Sequence, residues 1–135
     1  MNYLKDILRD LEGISLSIPN VNTFKFANVE DVINIGSVKY AAILAVFEDC
    51  RLDLENETAE YRFTLFYNDL DIDNTVDIQS HGTQVVYNIL SQLAEKYQLG
   101  QAVTVRPFER RNAALASGVF AEFTVITDNQ AGCKF

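Results

Sequence analysis

Three alternating aspartates have a spacing that could bind a metal ion. Asp69, Asp71 and Asp73 are separated by single residues, as at the start of a calcium loop, where alternate side chains turn their oxygens toward one ion. The match then ends, because the sixth loop position is Asn74 instead of glycine and the twelfth is a serine instead of a glutamate. We therefore expect no calcium site. Capping of a following helix by Asp73, Asn74 or Asp77 explains the aspartates better.

Nucleophilic catalysis would have to use Cys50 and His81, because the chain has one histidine and two cysteines. The fold would need to bring them together by coincidence, and a structural histidine near a helix start is the simpler interpretation. The six glycines are scattered and form no phosphate-binding loop. We expect no enzyme activity, no cofactor and no catalytic, cofactor-binding or metal-binding residue.

Negative charge is concentrated between Glu48 and Asp77, where ten acidic residues face only Arg51 and Arg62. This block carries a net charge of −8, equal to that of the whole chain. It either presents a like-charged surface to a basic partner, lines a conduit through which DNA passes without sticking, or is simply a solvated hairpin tip. The candidate residues for a channel-facing or partner-facing role are Asp53, Glu55, Glu57 and Glu60.

Positive charge gathers at one place only, in Arg106, Arg110 and Arg111. Guanidinium groups on a hairpin loop can form paired hydrogen bonds with carboxylates of another subunit. An acidic and a basic hairpin on one small domain favour head-to-tail contacts, which close into rings when the rotation between subunits permits. We therefore predict an inter-subunit contact at these three arginines.

Composition limits the class of protein. The chain has 135 residues, 48% hydrophobic and 22% charged, which suits one folded domain over residues 1–135 and excludes disorder or a disulfide scaffold. Its net charge of −8 argues against direct DNA binding. No signal peptide or membrane-spanning run is visible, so the expected location is the cytoplasm, with both thiols reduced.

The hydrophobic pattern places these residues on a few elements. Helical spacing predicts a helix over residues 1–13, ended at Gly13, and a second over 74–98. Thr23 to Ala27 reads as a short strand, and Asn28 to Asn34 fits either a helical turn or a strand. Alternating residues predict a long hairpin over 38–70 and another over 102–127. Ala41 to Phe47 is apolar on both faces, which indicates a strand covered by a helix on one side and a neighbouring chain on the other.

Helix, strands, hairpin, helix and hairpin in this order predict an α+β domain, an antiparallel sheet with helices packed on one face. This order resembles the tail-terminator and tail-completion proteins of tailed phages. Phe66 to Leu93, which includes N-x-x-x-I-Q-S-x-G, is similar to small neck proteins of crAss-like phages that infect Bacteroides. The closing strand, Gly118 to Asn129, resembles the last strand of the same family.

The resemblance implies a virion protein, assembled in the host cytoplasm, that forms a homo-oligomeric ring of six or twelve copies in the neck. Its partners would be the portal and other neck and tail proteins, and DNA would pass through a central channel without specific binding. The alternative is a soluble cytoplasmic binding or adaptor module whose acidic hairpin recognises a basic protein.

Overall fold

The structure is a computed structural model that describes residues 3–26, 39–100, 102–109 and 116–128. None of the helices in these ranges is long and apolar enough to cross a membrane. The elements in chain order are α1 (Tyr3–Ser17), β1 (Thr23–Phe26), β2 (Ala42–Asp53), β3 (Thr58–Leu70), α2 (Thr75–Ala94), β4 (Gln98–Leu99), β5 (Val105–Phe108) and β6 (Ala116–Asp128).

Six strands form one sheet in the order β1-β2-β3-β6-β4, and β5 also pairs with β6. The predicted α+β class, with an antiparallel sheet, is confirmed for β2 to β6. One pairing differs from the expectation, because β1 runs parallel to β2. Parallel neighbours need a crossover connection of a dozen or more residues, and fifteen residues separate Phe26 from Ala42.

Both helices pack on the same face of the sheet, as predicted. The core joins Ile7 and Leu11 of α1 and Ile89 and Leu93 of α2 to the sheet side chains, with Phe63 at its centre. All five of these side chains are fully buried. Burying a large apolar side chain stabilises a fold by about 1.5–3 kcal/mol, so this layer is the main source of stability.

The first helix is longer than the sequence predicted, because it passes through Gly13 and ends at Ser17. No glycine in the described residues has a positive φ, so Gly13 does not form a left-handed helix end. The apolar period continues instead through Ile14 to Ile18, of which Ile18 is 7% exposed. The hydroxyl of Ser17 donates a hydrogen bond of 2.7 Å to the carbonyl of Ile14 in the last turn.

The second helix begins before Gly82, at Thr75, and ends at Ala94 rather than at residue 98. The N-cap residue is Asn74, which was one of the predicted capping residues, but its side chain accepts no hydrogen bond from a helix N–H. Its Oδ1 accepts a hydrogen bond of 2.9 Å from the N–H of Ile72 instead. Residues 98–99 form β4, a strand that the helical pattern did not predict.

The β2–β3 hairpin was predicted correctly, although β2 begins at Ala42. The expectation that a neighbouring chain covers the second face of its first strand stays a prediction. Ala42, Leu44 and Val46 lie on the face away from the helices and are at most 5% exposed within one copy, so their burial needs no neighbouring chain. The β5–β6 pairing confirms the second hairpin, whereas residues 110–115, 28–34 and Cys133 lie outside the described residues.

Candidate interaction face

The face of the sheet that points away from the helices, here called the outer face, carries the predicted site residues that the structure describes. Residues that pair across neighbouring strands share a face. Leu44 pairs with Phe66, Phe66 with Phe120, and Phe120 with Arg106. On the other side of Leu44 the partner is Lys25 of β1. The outer face therefore has one row with an apolar centre and a basic residue at each end.

Two aromatic rings form the accessible centre of that row. The ring centroids of Phe66 and Phe120 lie 5.5 Å apart with an interplanar angle of 24°, and Phe108 meets Phe66 edge-on at 6.3 Å. Phe66 and Phe120 are partly exposed and Arg106 is exposed. Arg106 makes no ion pair with a described residue. We call Phe66, Arg106 and Phe120 the aromatic–arginine patch.

The acidic residues singled out from the sequence lie at the far end of the same hairpin. Asp53 ends β2, Glu55 and Glu57 are exposed in the turn, and Glu60 lies on β3 opposite Arg51. Neither Glu55 nor Glu57 makes an ion pair with a described residue. We call Asp53, Glu55, Glu57 and Glu60 the acidic tip.

The turn holds one of its own carboxylates in place. The backbone N–H of Asn56 donates to Oδ1 of Asp53 at 3.1 Å, and the Asn56 amide donates to Oδ2 at 2.9 Å. These hydrogen bonds hold the pKa of Asp53 below its ordinary value, with the backbone donor contributing most. Asp53 therefore orders the turn, and Glu55 and Glu57 remain available to a partner.

Two exposed leucines lie at this end of the hairpin, Leu54 in the turn and Leu52 on the face of β2 opposite to that of Asp53. Leu54, in the turn, is 83% exposed, the largest value among the exposed large apolar side chains of the described residues, and Leu52 is 59% exposed. An exposed leucine between acidic residues adds nothing to the core of this chain. Its apolar surface would leave water if it became buried in the apolar centre of a protein–protein contact.

A group of polar residues, here called the polar zone, separates the acidic tip from the aromatic–arginine patch. The polar zone consists of Glu48, Asp49, Arg62, Thr64 and Glu122. A β-bulge at Glu48 lets its Oε1 accept a hydrogen bond of 3.1 Å from Thr64, whose neighbour on β6 is Glu122. Asp49 accepts two hydrogen bonds from the guanidinium of Arg62, at 2.7 and 2.5 Å. This pairing lowers the pKa of Asp49 and occupies Arg62. The charges of Glu122 and Glu48 also act on Arg62, whose pKa is raised chiefly by Asp49, so one cation faces three carboxylates in this zone.

The aspartates that resembled a calcium loop have a structural role at the other end of the sheet. Oδ2 of Asp71 accepts hydrogen bonds from Thr75 at 2.5 Å and Ser117 at 2.6 Å, and Oδ1 accepts one from the N–H of Asp73 at 3.0 Å. Asp71 thus ties β3, the start of α2 and β6 together. Within the described ranges, no group of three histidine, cysteine, aspartate or glutamate residues is placed to hold a metal ion.

The Cys50–His81 pair is ruled out by distance. Cys50 pairs with Tyr61 on β3. The ring centroid of His81 lies 5.9 Å from that of Tyr67. Tyr61 and Tyr67 are six positions apart, so about 20 Å of strand separates Cys50 from His81. Burial, and then the nearby charge of Asp49, raises the pKa of the Cys50 thiol. A protonated thiol without a base is a weak nucleophile at neutral pH.

A groove of about 640 Å³ lies between α2 and residues 98–105. Its described lining, which includes Tyr87, Leu90, Tyr97 and Val105, contains no carboxylate, cation, thiol or imidazole. Its polar groups are the hydroxyls of Thr83, Tyr87, Ser91 and Tyr97 and the amide of Gln98.

The structure brings Arg106 onto the outer face and places the acidic tip on the same hairpin as Phe66, whereas Arg110 and Arg111 lie outside the described residues. Sequence reasoning missed Phe66, Phe120, Leu52 and Leu54 as candidate residues. A signal for Phe66 was present, because this residue interrupts the polar series of alternate residues Arg62, Thr64 and Asn68.

A scan against protein-family models and a search of curated proteins both found no match to this chain.

Proposed function

We propose that this chain is a structural subunit of a ring in the neck of a tailed phage, between the portal and the tail, with a central channel for DNA. The resemblance of Phe66 to Leu93 and of Gly118 to Asn129 to neck and tail-completion proteins supports this proposal. In this role the chain catalyses no reaction and holds no cofactor, and six or twelve copies close the ring.

The observation that carries the proposal is the separation of opposite charges along the sheet. Phe66 is eight positions along β3 from Thr58, which lies beside the acidic tip, so about 26 Å of strand separates the two. One copy cannot bring its own acidic tip onto its own Arg106, but two copies in head-to-tail order can. Repeated head-to-tail contacts produce a closed ring or an open filament, depending on the rotation between subunits.

A second candidate is an acidic binding module that recognises a basic protein through the same tip. The exposed Leu54 favours it, because an apolar anchor inside a charged rim is the usual centre of a protein–protein contact. This candidate needs no ring and no channel.

The test is replacement of Asp53, Glu55 and Glu57 by lysine, followed by particle assembly and genome release in the phage whose neck genes accompany this one. A carboxylate-lined channel would give particles that form but release DNA slowly, and more slowly at low salt, because lysine binds phosphates. A subunit contact would give no particles. Lysine at Glu12 and Glu95, which are exposed on the helical side, is the matched control. Normal assembly and normal release by the triple variant would contradict the proposal.

A further inference from the structure

We infer that the acidic tip docks on the aromatic–arginine patch of a second copy, with Leu52 and Leu54 seated against Phe66 and Phe120. This inference rests on the proposed function and deepens it, because it assigns the acidic tip to a subunit contact and not to the wall of the channel.

The two surfaces match in chemistry. The tip offers the exposed Leu54 in the same turn as Glu55 and Glu57, and a second exposed leucine, Leu52, two residues before it. The patch offers two partly exposed aromatic rings with Arg106 beside Phe120. Apolar side chains thus meet apolar rings while carboxylates meet a guanidinium, which is the pattern of an apolar centre with a polar rim.

The exposed leucines favour a subunit contact over a channel wall as the role of the acidic tip. A conduit for DNA needs carboxylates that repel phosphate, and leucine contributes nothing to that repulsion. A protein contact gains directly from Leu54, because its apolar surface leaves water on binding.

The exposed Leu54 of the acidic tip favours a protein occupant of the patch over a nucleic acid. Stacked aromatic rings beside an arginine also suit single-stranded nucleic acid. Glu122 lies on the same face two residues from Phe120, and Glu48 bonds Thr64 in the neighbouring row. These carboxylates repel phosphates and the acidic tip alike. The choice of occupant therefore rests on Leu54, whose apolar side chain leaves water when it is buried against the rings.

Sedimentation velocity over a concentration series at low salt tests the contact on the full chain. We expect the wild-type chain to self-associate beyond a dimer, and the variants Leu52→Ser/Leu54→Ser and Arg106→Glu to be monomeric. Leu16→Ser is the matched control, because Leu16 is a 49% exposed leucine on α1, away from both surfaces. It should associate like the wild type.

Mixing the two monomeric variants gives the sharper result. The tip variant keeps an intact patch and the patch variant keeps an intact tip, so a head-to-tail contact predicts a 1:1 heterodimer and nothing larger. Circular dichroism of each variant confirms that it is folded. A wild-type chain that stays monomeric, a tip variant that associates like wild type, or a mixture that stays monomeric would overturn the inference.

The outcomes separate this inference from the proposed function. Open filaments that depend on Leu54 would support the docking and contradict the ring. Closed rings that persist in the Leu52→Ser/Leu54→Ser variant would support the ring and contradict the docking. Binding of a fluorescent oligothymidine that is lost in Arg106→Glu would assign the patch to nucleic acid and overturn the inference.

Discussion

The backbone of Gly82 in α2 lies directly against the ring of Tyr67 in β3. A Cβ atom at position 82 would lie 2.6 Å from Cδ1 of Tyr67 and 3.1 Å from Cγ2 of Val119. Tyr67 is 1% exposed, so its ring has no free space to move into. Glycine disfavours a helix interior by about 1 kcal/mol relative to alanine, yet at position 82 it lets α2 approach the sheet.

Gly82→Ala should lower the free energy of unfolding. Overpacking a core costs about 1–3 kcal/mol, and alanine recovers about 1 kcal/mol of helix propensity, so we expect a net loss of up to about 2 kcal/mol in urea unfolding. Gly13→Ala is the control, because a Cβ there meets nothing within 4 Å. It should stabilise the chain by about 0.5–1 kcal/mol. Equal effects of the two variants would contradict this account.

Asp71→Ala should be among the more destabilising changes of a charged residue. Asp71 accepts hydrogen bonds from Thr75, Ser117 and the N–H of Asp73. Bonds to a charged acceptor contribute about 1.5–3 kcal/mol each and are not additive, so we expect a loss of about 2–4 kcal/mol in denaturant unfolding. Asp69→Ala, which loses one bond to the N–H of Leu70, should stay within about 0.5 kcal/mol of wild type.

Calcium titration by calorimetry should show no saturable site in the isolated chain. Asp71, the central aspartate of the motif, already directs both carboxylate oxygens to hydrogen-bond donors of this chain. The motif also lacks the glycine and the bidentate glutamate of a calcium loop. A micromolar site that disappears in Asp69→Asn would show that this interpretation is wrong.

The pKa of Asp49 should lie below 3.8, its ordinary value, because the hydrogen bonds and positive charge of Arg62 favour the carboxylate. A lowered pKa in the folded state stabilises the fold fully above the unfolded value, and this contribution is lost as the pH falls through the folded value. Carboxyl NMR titration of Arg62→Gln should return the Asp49 pKa toward 3.8 and leave that of Asp53 low. An unchanged Asp49 pKa would count against the pairing.

Local sequence patterns predicted which elements form better than they predicted where those elements end and which strands pair. The spacing of Val85, Ile89 and Leu93 correctly predicted the buried face of α2, because residues four apart lie on the same face of a helix. The end of α1 at Gly13 was wrong because glycine only permits a helix end, and here the packing of Ile18 continues the helix beyond it. Tertiary burial overrode a local signal.

The candidate site was only half visible in the sequence for a related reason. The acidic tip lies within one short segment, so counting charges was enough to find it. The aromatic–arginine patch joins Phe66, Phe120 and Arg106 from three strands, and only the register of the sheet brings them together. Such register depends on long-range pairing, which periodicity along a single strand does not specify.

The position of β6 has a consequence for the order of events during synthesis. This strand pairs with β3 along its whole length and also with β4 and β5, yet it is the last described element to leave the ribosome. Until residues 116–128 emerge, β3 has one open edge and the core lacks the side chains of Val119, Ala121, Phe123 and Val125. Folding of the nascent chain must therefore wait for its C-terminal strand, and during that wait the exposed edge is where a chaperone would act or aggregation would begin.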